Sequence, residues 1–284
     1  MARHESPIRT AFLVSGEGRT AKAVLQANLP RIHPVLMVSS NERAGALRKA
    51  EDHGMQTAVT PFDSENADSI NAAGAQINLA LRNAHVDLVV ITGWREVIPQ
   101  GVVAEYWDRS IAQQPAPLDP KRIRLGIDLP SYERTGADFS GSNMRGTRTH
   151  AAVLLYAAET QGALTHTEAT TYRPGDETPR AVISRKQTAL EVPPHYMTQD
   201  AVRKDQSIYR ELLERAWQLE EDMVPAEQTN MIRTLEKVSN NFSEFASRER
   251  YNVLQKRRQR LIPLENRELL ADVKNTVVRL FPRP

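Results

Sequence analysis

Cysteine is missing from all 284 residues. Its absence excludes disulfides, thiolate nucleophiles, Cys-ligated zinc and iron–sulfur clusters, so any chemistry falls to oxygen and nitrogen side chains. An excess of either charge is missing too: 37 Lys and Arg stand against 35 Asp and Glu, for a net charge of +2. Such a balance provides no global field for nucleic acid or an anionic membrane, so any basic surface must be local. Aromatics are few, at 6%, and no apolar run approaches the ~20 residues of a membrane helix. The N-terminal Met1-Ala2-Arg3-His4-Glu5-Ser6-Pro7 has no apolar signal core, which sets the expectation of a cytoplasmic protein.

What is present is the composition of a folded globular chain, 40% hydrophobic and 25% charged, long enough for one large domain or a medium domain with an appendage. Ile8 to Ser15 is a short apolar run that stops at Gly16-Glu17-Gly18-Arg19-Thr20, and Ala21 to Leu29 then reads as a helix ended by Pro30. A second run, Pro34 to Ser39, leads through Ser40-Asn41 to a helical stretch, Glu42 to His53, and a short strand at Gln56 to Val59 follows. Ala67 to Ala84 repeats Ile70, Ala73, Ile77 and Leu81 at helical spacing and runs into the β-branched Val86 to Thr92. This alternation predicts a parallel sheet with helices on both faces. Ligands then bind beyond the carboxyl ends of the strands, where residues 16–20, 39–41 and 93–96 gather.

From Trp107 to Arg148 the pattern breaks into about forty residues rich in Pro, Asp and Gly, read as a lid or substrate loop. Thr149 to Glu159 returns to helix. Ala163 to Thr171 and Arg180 to Leu190 read as a hairpin extending the sheet. Beyond Pro193-Pro194 helices are expected at 199–222, 226–261 and 265–280, separated by Pro225 and Pro263.

Backbone amides of the glycine loop at a helix N-terminus form a natural phosphate or carboxylate site, or simply a tight turn. A nicotinamide-dinucleotide site would need a third glycine and an acidic end to the second strand. Ala21 and Ser39-Ser40-Asn41 stand there instead.

The segments VSGEGRTAKAVL, VSSNERAGALRKAEDHGM and DLVVITGWREVIP follow one another in an order and spacing that resemble the folate-dependent formyltransferases, with the glycinamide ribonucleotide formyltransferase branch nearest. Phe139-Ser140-Gly141-Ser142-Asn143-Met144-Arg145-Gly146, Thr149-His150-Ala151-Ala152-Val153, Gly162 to His166 and Asp205-Gln206-Ser207-Ile208-Tyr209 continue the likeness, which covers about residues 8 to 217. The resemblance implies an α/β, Rossmann-like formyltransferase fold over residues 1–217, with a mostly parallel sheet, helices on both faces and a C-terminal helical extension at 218–284. It further implies transfer of a formyl group from 10-formyltetrahydrofolate, without a metal, to the amine of a small acceptor, phosphorylated or not. Gly16, Glu17, Gly18, Arg19 and Thr20 inherit the phosphate loop, Asp205 a substrate-contacting acid, and Trp94, Arg95 and Glu96 the folate-binding turn.

The family's central Asn-x-His-Pro is altered: Ala112 stands in place of Asn and Gln114 in place of His, while Pro115 is kept. The family's aspartate has a counterpart in Asp176, equally readable as a hairpin-turn residue. Attack of an amine on a formyl carbon builds negative charge on oxygen and releases a proton, so the site needs hydrogen-bond donors and a group titrating near neutrality. Gln114 can donate but cannot carry a proton. The sequence therefore offers a rebuilt centre of Gln114, His166 and Asp176, with His166 as the base. A catalytically inactive homologue binding a phosphate-bearing ligand or a protein partner, and a transferase with another acyl donor, are the alternatives.

His150 reads as a residue that caps or packs against the long loop. The run Lys256-Arg257-Arg258-Gln259-Arg260 reads as a solvated basic face rather than a nucleic-acid site. Met223, Met231, Leu235, Phe242 and Phe245 form either the buried face of the extension or a homodimer contact.

Overall fold

The computed structural model describes residues 6–118, 139, 143–162, 164–174, 181–191, 193–246 and 264–281. Seven strands form one sheet in the order β3-β2-β1-β4-β5-β6-β7. They are β1 (Ile8–Val14), β2 (Ile32–Ser39), β3 (Gln56–Val59), β4 (Leu88–Ile91), β5 (Ser110–Gln114), β6 (His166–Arg173) and β7 (Ala181–Ala189). The first five run parallel, and β6 and β7 add an antiparallel hairpin beyond β5. The strand order reverses direction at β1, so the gap between β1 and β4 is the topological switch point where such sheets bind ligands.

The helices are α1 (Arg19–Ala27), α2 (Gly45–Asp52), α3 (Ala67–Asn83), α4 (Gln100–Tyr106), α5 (Thr147–Glu159), α6 (Gln199–Lys204), α7 (Gln206–Asn240), α8 (Phe242–Phe245) and α9 (Leu264–Leu280). Strand β1 shows why its second half, Ala11 to Val14, is apolar without a break. Phe12 and Val14 pack with α1, α2 and the far half of α7, whereas Ala11 and Leu13 face the layer of α3 and α4. With both faces covered, period-two alternation has no solvent side to report. A third cluster joins α5, α6, α9 and the near half of α7.

Two elements differ from the sequence expectation. The segment read as one long loop contains β5, whose Ser-Ile-Ala-Gln-Gln has only two apolar residues and is held by pairing on both sides. Most of the remainder, residues 119–138 and 140–142, lies outside the described residues, as do Asp176 and the basic run 256–260.

Helix α7 continues through Pro225 rather than ending there. An interior proline costs a helix roughly 3 kcal/mol. Here burial of Leu219, Met223, Ala226, Met231, Leu235 and Val238, spread over two clusters, outweighs it. The expected division after residue 217 thus falls inside an unbroken helix. Met223, Met231, Leu235 and Phe245 enter the chain's own core, with Phe242 packed at its edge. Among the described residues no helix is long and apolar enough to cross a membrane.

Candidate active site

Three loops at the carboxyl ends of the parallel strands are stitched together around Ser15. Its hydroxyl accepts from the Arg95 amide at 2.9 Å and shares a 2.8 Å hydrogen bond with Ser40, and its amide donates to the Gly93 carbonyl at 3.0 Å. Gly18 caps α1 in the left-handed region, with φ of 63°. A Cβ there would lie 2.6 Å from Ala46 Cβ, so both the turn and the close approach of α2 require glycine. The first-turn amides of α1 have no intrahelical acceptor and open towards the same rim.

A cavity of about 640 Å³ occupies this rim. Its walls come from the glycine loop, Thr92–Arg95 after β4, Gln113–Pro115 at the end of β5, the start of α5 from Arg145 to His150, and α7 from Trp217 to Glu227. A smaller recess of about 260 Å³ shares Arg95, Arg145 and Trp217 with it and extends to Arg148 and Tyr209. The larger volume lies within the ~300–1,000 Å³ range of small-molecule sites.

Helix α7 closes one side. Gln113 Nε2 donates to the main-chain carbonyl of Glu227 at 2.8 Å, while Thr92 Oγ1 donates to Gln113 Oε1 at 3.2 Å. Gln228 Nε2 donates to the Arg19 carbonyl at 3.3 Å, Arg19 pairs with Glu221, and Thr147 Oγ1 donates to Glu220 at 2.8 Å. Glu17, by contrast, turns to Lys49, 3.0 Å away.

His150 is fully buried on the cavity wall, and neither ring nitrogen has a hydrogen-bond partner among the described residues. Burial pushes its pKa down to about 3, so the ring is neutral at physiological pH, with one N–H donor and one acceptor nitrogen. Glu227, half-buried and lining the same cavity, shifts the other way. Burial raises its carboxyl to about 8, with Arg19 opposing and the Glu220 carboxylate reinforcing the shift.

The sequence-predicted residues divide. Gly16, Glu17, Gly18, Arg19, Thr20, Trp94, Arg95 and Gln114 all line the cavity. Trp94 is held by stacking on Phe62, with ring centroids 6.3 Å apart, and by its indole N–H on the Val97 carbonyl at 3.4 Å.

Gln114 is present but committed: its Nε2 donates to the carbonyls of Phe139 at 3.1 Å and Met144 at 2.9 Å. Two carbonyl acceptors use both N–H groups of the amide, so Gln114 orders the loop backbone and has no donor left for a substrate oxyanion. His166 is exposed at the outer end of β6, bonded to its neighbour Thr165 at 2.8 Å, and does not line the cavity. Strand register explains this: Gln114 pairs with Thr170, four residues further along β6. Asp205 is exposed and caps α7, accepting from Ser207 N at 2.8 Å, and Glu96 also stands outside the cavity wall.

Sequence reasoning missed Trp217, Glu220, Glu221 and Glu227, because nothing in a predominantly polar helix announces which side faces a cleft. Trp217, 53% exposed, was the visible clue. The sequence reads His150 as a residue that caps or packs against the long loop; in the structure it lines the cavity, with no hydrogen-bond partner for its ring among the described residues.

Comparison with known proteins agrees with the motif series. Residues 8–120 match the family model described as formyl transferase. A phosphoribosylglycinamide formyltransferase from Anaplasma phagocytophilum superposes with a TM-score of 0.54 at 19% identity, over 83% of this chain and 89% of that one. A formyltetrahydrofolate deformylase from Pseudomonas syringae pv. tomato gives 0.55 at 13% identity, over 83% and 62%. The phosphoribosylglycinamide formyltransferase of Streptococcus pneumoniae gives 0.50 at 14%, over 81% and 98%. No curated protein matches the sequence. At these identities the structural likeness speaks to the fold, which is that of the formyltransferases, as the sequence resemblance implies.

Proposed function

We propose that this chain transfers a formyl group from 10-formyltetrahydrofolate to the amine of a small acceptor held in the switch-point cavity. The supporting observation is His150, a buried imidazole with no hydrogen-bond partner among the described residues, on the wall of a ligand-sized cleft. Leaving buried polar groups unmade costs about 1–3 kcal/mol each, so the arrangement makes sense when a ligand completes it. A neutral imidazole N–H suits an oxygen that gains negative charge during acyl transfer, the part left open by Ala112 and the committed Gln114.

The donor fits the wall around Trp94, Arg95 and Trp217. Trp217, about half exposed, provides a flat aromatic face and Arg95 a guanidinium suited to a heteroaromatic ring and its carboxylate tail. The glycine loop and the first turn of α1 would hold a phosphate or carboxylate on the acceptor, with Arg19 exchanging Glu221 for that anion.

Thermal stabilisation by reduced folates and formyl transfer to a panel of amines test this reading. His150→Ala should reduce turnover by about 10²–10³, as loss of one oxyanion donor does. No stabilisation at millimolar folate would remove the donor assignment.

A second reading, a non-catalytic descendant that binds an anionic ligand or a protein through the same rim, is favoured by the commitment of Gln114 to two loop carbonyls. Folate binding without transfer to any amine or to water would support it.

A further inference from the structure

We propose that Glu227, on the part of α7 beyond the family-matched region, is the proton acceptor of this cleft. The inference rests on the formyl-transfer reading above and supplies the group that reading lacks, since Gln114 and His166 do not fill the role and Asp176 lies outside the described residues.

Three observations carry it. Glu227 shares the cavity wall with Gln113 and Gln114, the last residues of β5, where the family's altered motif falls, and with His150 on α5. Its position is fixed by the tertiary fold: Gln113 Nε2 holds its carbonyl at 2.8 Å and Gln228, one residue on, holds the glycine loop. Finally, its carboxyl has no hydrogen-bond partner among the described residues, whereas Glu17, Glu220 and Glu221 are engaged by Lys49, Thr147 and Arg19.

The charged groups that share the cavity lining with Glu227 are Glu17 in the glycine loop, Arg19 on α1, Arg95 after β4, Arg145 before α5, and Glu220 and Glu221 on its own helix; His150 on α5 is neutral, and Arg19 and Glu220 are the two that act on the Glu227 carboxyl. Burial and Glu220 outweigh Arg19, so the carboxyl titrates close to neutrality, the range a general base needs. As the acceptor nitrogen bonds to the formyl carbon, the bond from that carbon to the carrier nitrogen breaks. The proton leaving the acceptor nitrogen passes to the Glu227 carboxylate, and the resulting acid returns one proton to the carrier nitrogen. Atoms and charge balance without a further reactant.

The test compares the wild-type chain with Glu227→Gln, which keeps the carbonyl bonded by Gln113. Folate binding is followed by thermal shift, transfer by the pH dependence of kcat/KM, and the carboxyl itself by ¹³C NMR of labelled glutamate. The expected result is a wild-type limb rising with an apparent pKa near 8, a carboxyl resonance titrating with it, and a Glu227→Gln variant that binds folate normally with kcat lowered at least 10²-fold and no such limb. Unchanged kcat and pH profile in the variant would overturn the proposal while leaving formyl transfer standing. A carboxyl at position 227 that titrates in the ordinary glutamate range would overturn it as well. Absence of folate binding by the wild type would instead remove the underlying reading, and the proposal with it.

Discussion

The side-chain amide of Gln113 reaches across 114 positions of sequence to donate a 2.8 Å hydrogen bond to the main-chain carbonyl of Glu227. This contact ties the last parallel strand to α7, whose position is otherwise set by the packing of its apolar side into two cores. Because Gln113 Oε1 also accepts from Thr92 Oγ1, the side chain bridges β4, β5 and α7.

Replacing Gln113 by Ala should therefore loosen the cleft as well as the fold. Loss of these bonds is expected to lower unfolding free energy by about 1–2 kcal/mol, read from urea denaturation with an unchanged m-value. If the proposed function holds, KM for the acceptor should rise, because the wall carrying Glu220, Glu221 and Glu227 is no longer fixed.

The two perturbed groups make stability depend on pH in opposite directions. His150 has a folded pKa near 3 against 6.5 for the free side chain, so between those values the unfolded chain binds a proton that the folded chain refuses. Stability is complete above pH 6.5 and falls as the pH drops towards 3, by on the order of 5 kcal/mol at about 1.4 kcal/mol per unit. Glu227 has a folded pKa near 8 against 4.5, so its contribution is complete below pH 4.5 and is lost as the pH rises towards 8. Urea unfolding over pH 4 to 9 should show the acid slope flattened in His150→Gln and the slope between pH 4.5 and 8 flattened in Glu227→Gln.

The hairpin depends on a buried ion pair. Arg185 Nη1 lies 3.0 Å from Glu168 Oε1 with both side chains under a tenth exposed, and Arg185 also donates to the Leu118 carbonyl at 3.2 Å. Arg185→Ala should cost about 3–5 kcal/mol, since it leaves Glu168 charged in the interior. Arg185→Met combined with Glu168→Leu should cost much less than either deletion alone, measured as the coupling in a double-mutant cycle.

Ending the chain at residue 217 should abolish cooperative folding. Such a truncation uncovers the sides of two clusters filled by Met223, Met231, Leu235 and Val238, each a buried side chain worth roughly 1.5–3 kcal/mol. Near-ultraviolet dichroism and dye binding would report the exposed core. A truncated chain with a sharp, wild-type-like melt would show the far half of α7 to be dispensable.

Local physics made the first half of the fold legible. Apolar runs such as Phe12-Leu13-Val14 can only be buried on both faces, and Gly18 beside Ala46 permits a turn that a larger residue would block. Strand β5 was harder to see because Ser110-Ile111-Ala112-Gln113-Gln114 lacks an apolar run, and its extended form comes from hydrogen bonding to β4 and β6. His166 and Gln114 looked like partners in sequence motifs, yet antiparallel register puts one at the outer end of β6 and locks the other onto the Phe139 and Met144 carbonyls.

By itself the sequence determined the layered α/β architecture, the glycine-bearing rim and the likeness to formyltransferases, because periodicity, turn residues and motif order are properties of neighbouring positions. Only the tertiary structure decided which titratable groups meet at that rim. Helix α7 has no local instruction to cross the cleft. It lies there because its apolar side completes two cores at once, and that packing delivers Glu227 to the same cavity wall as His150.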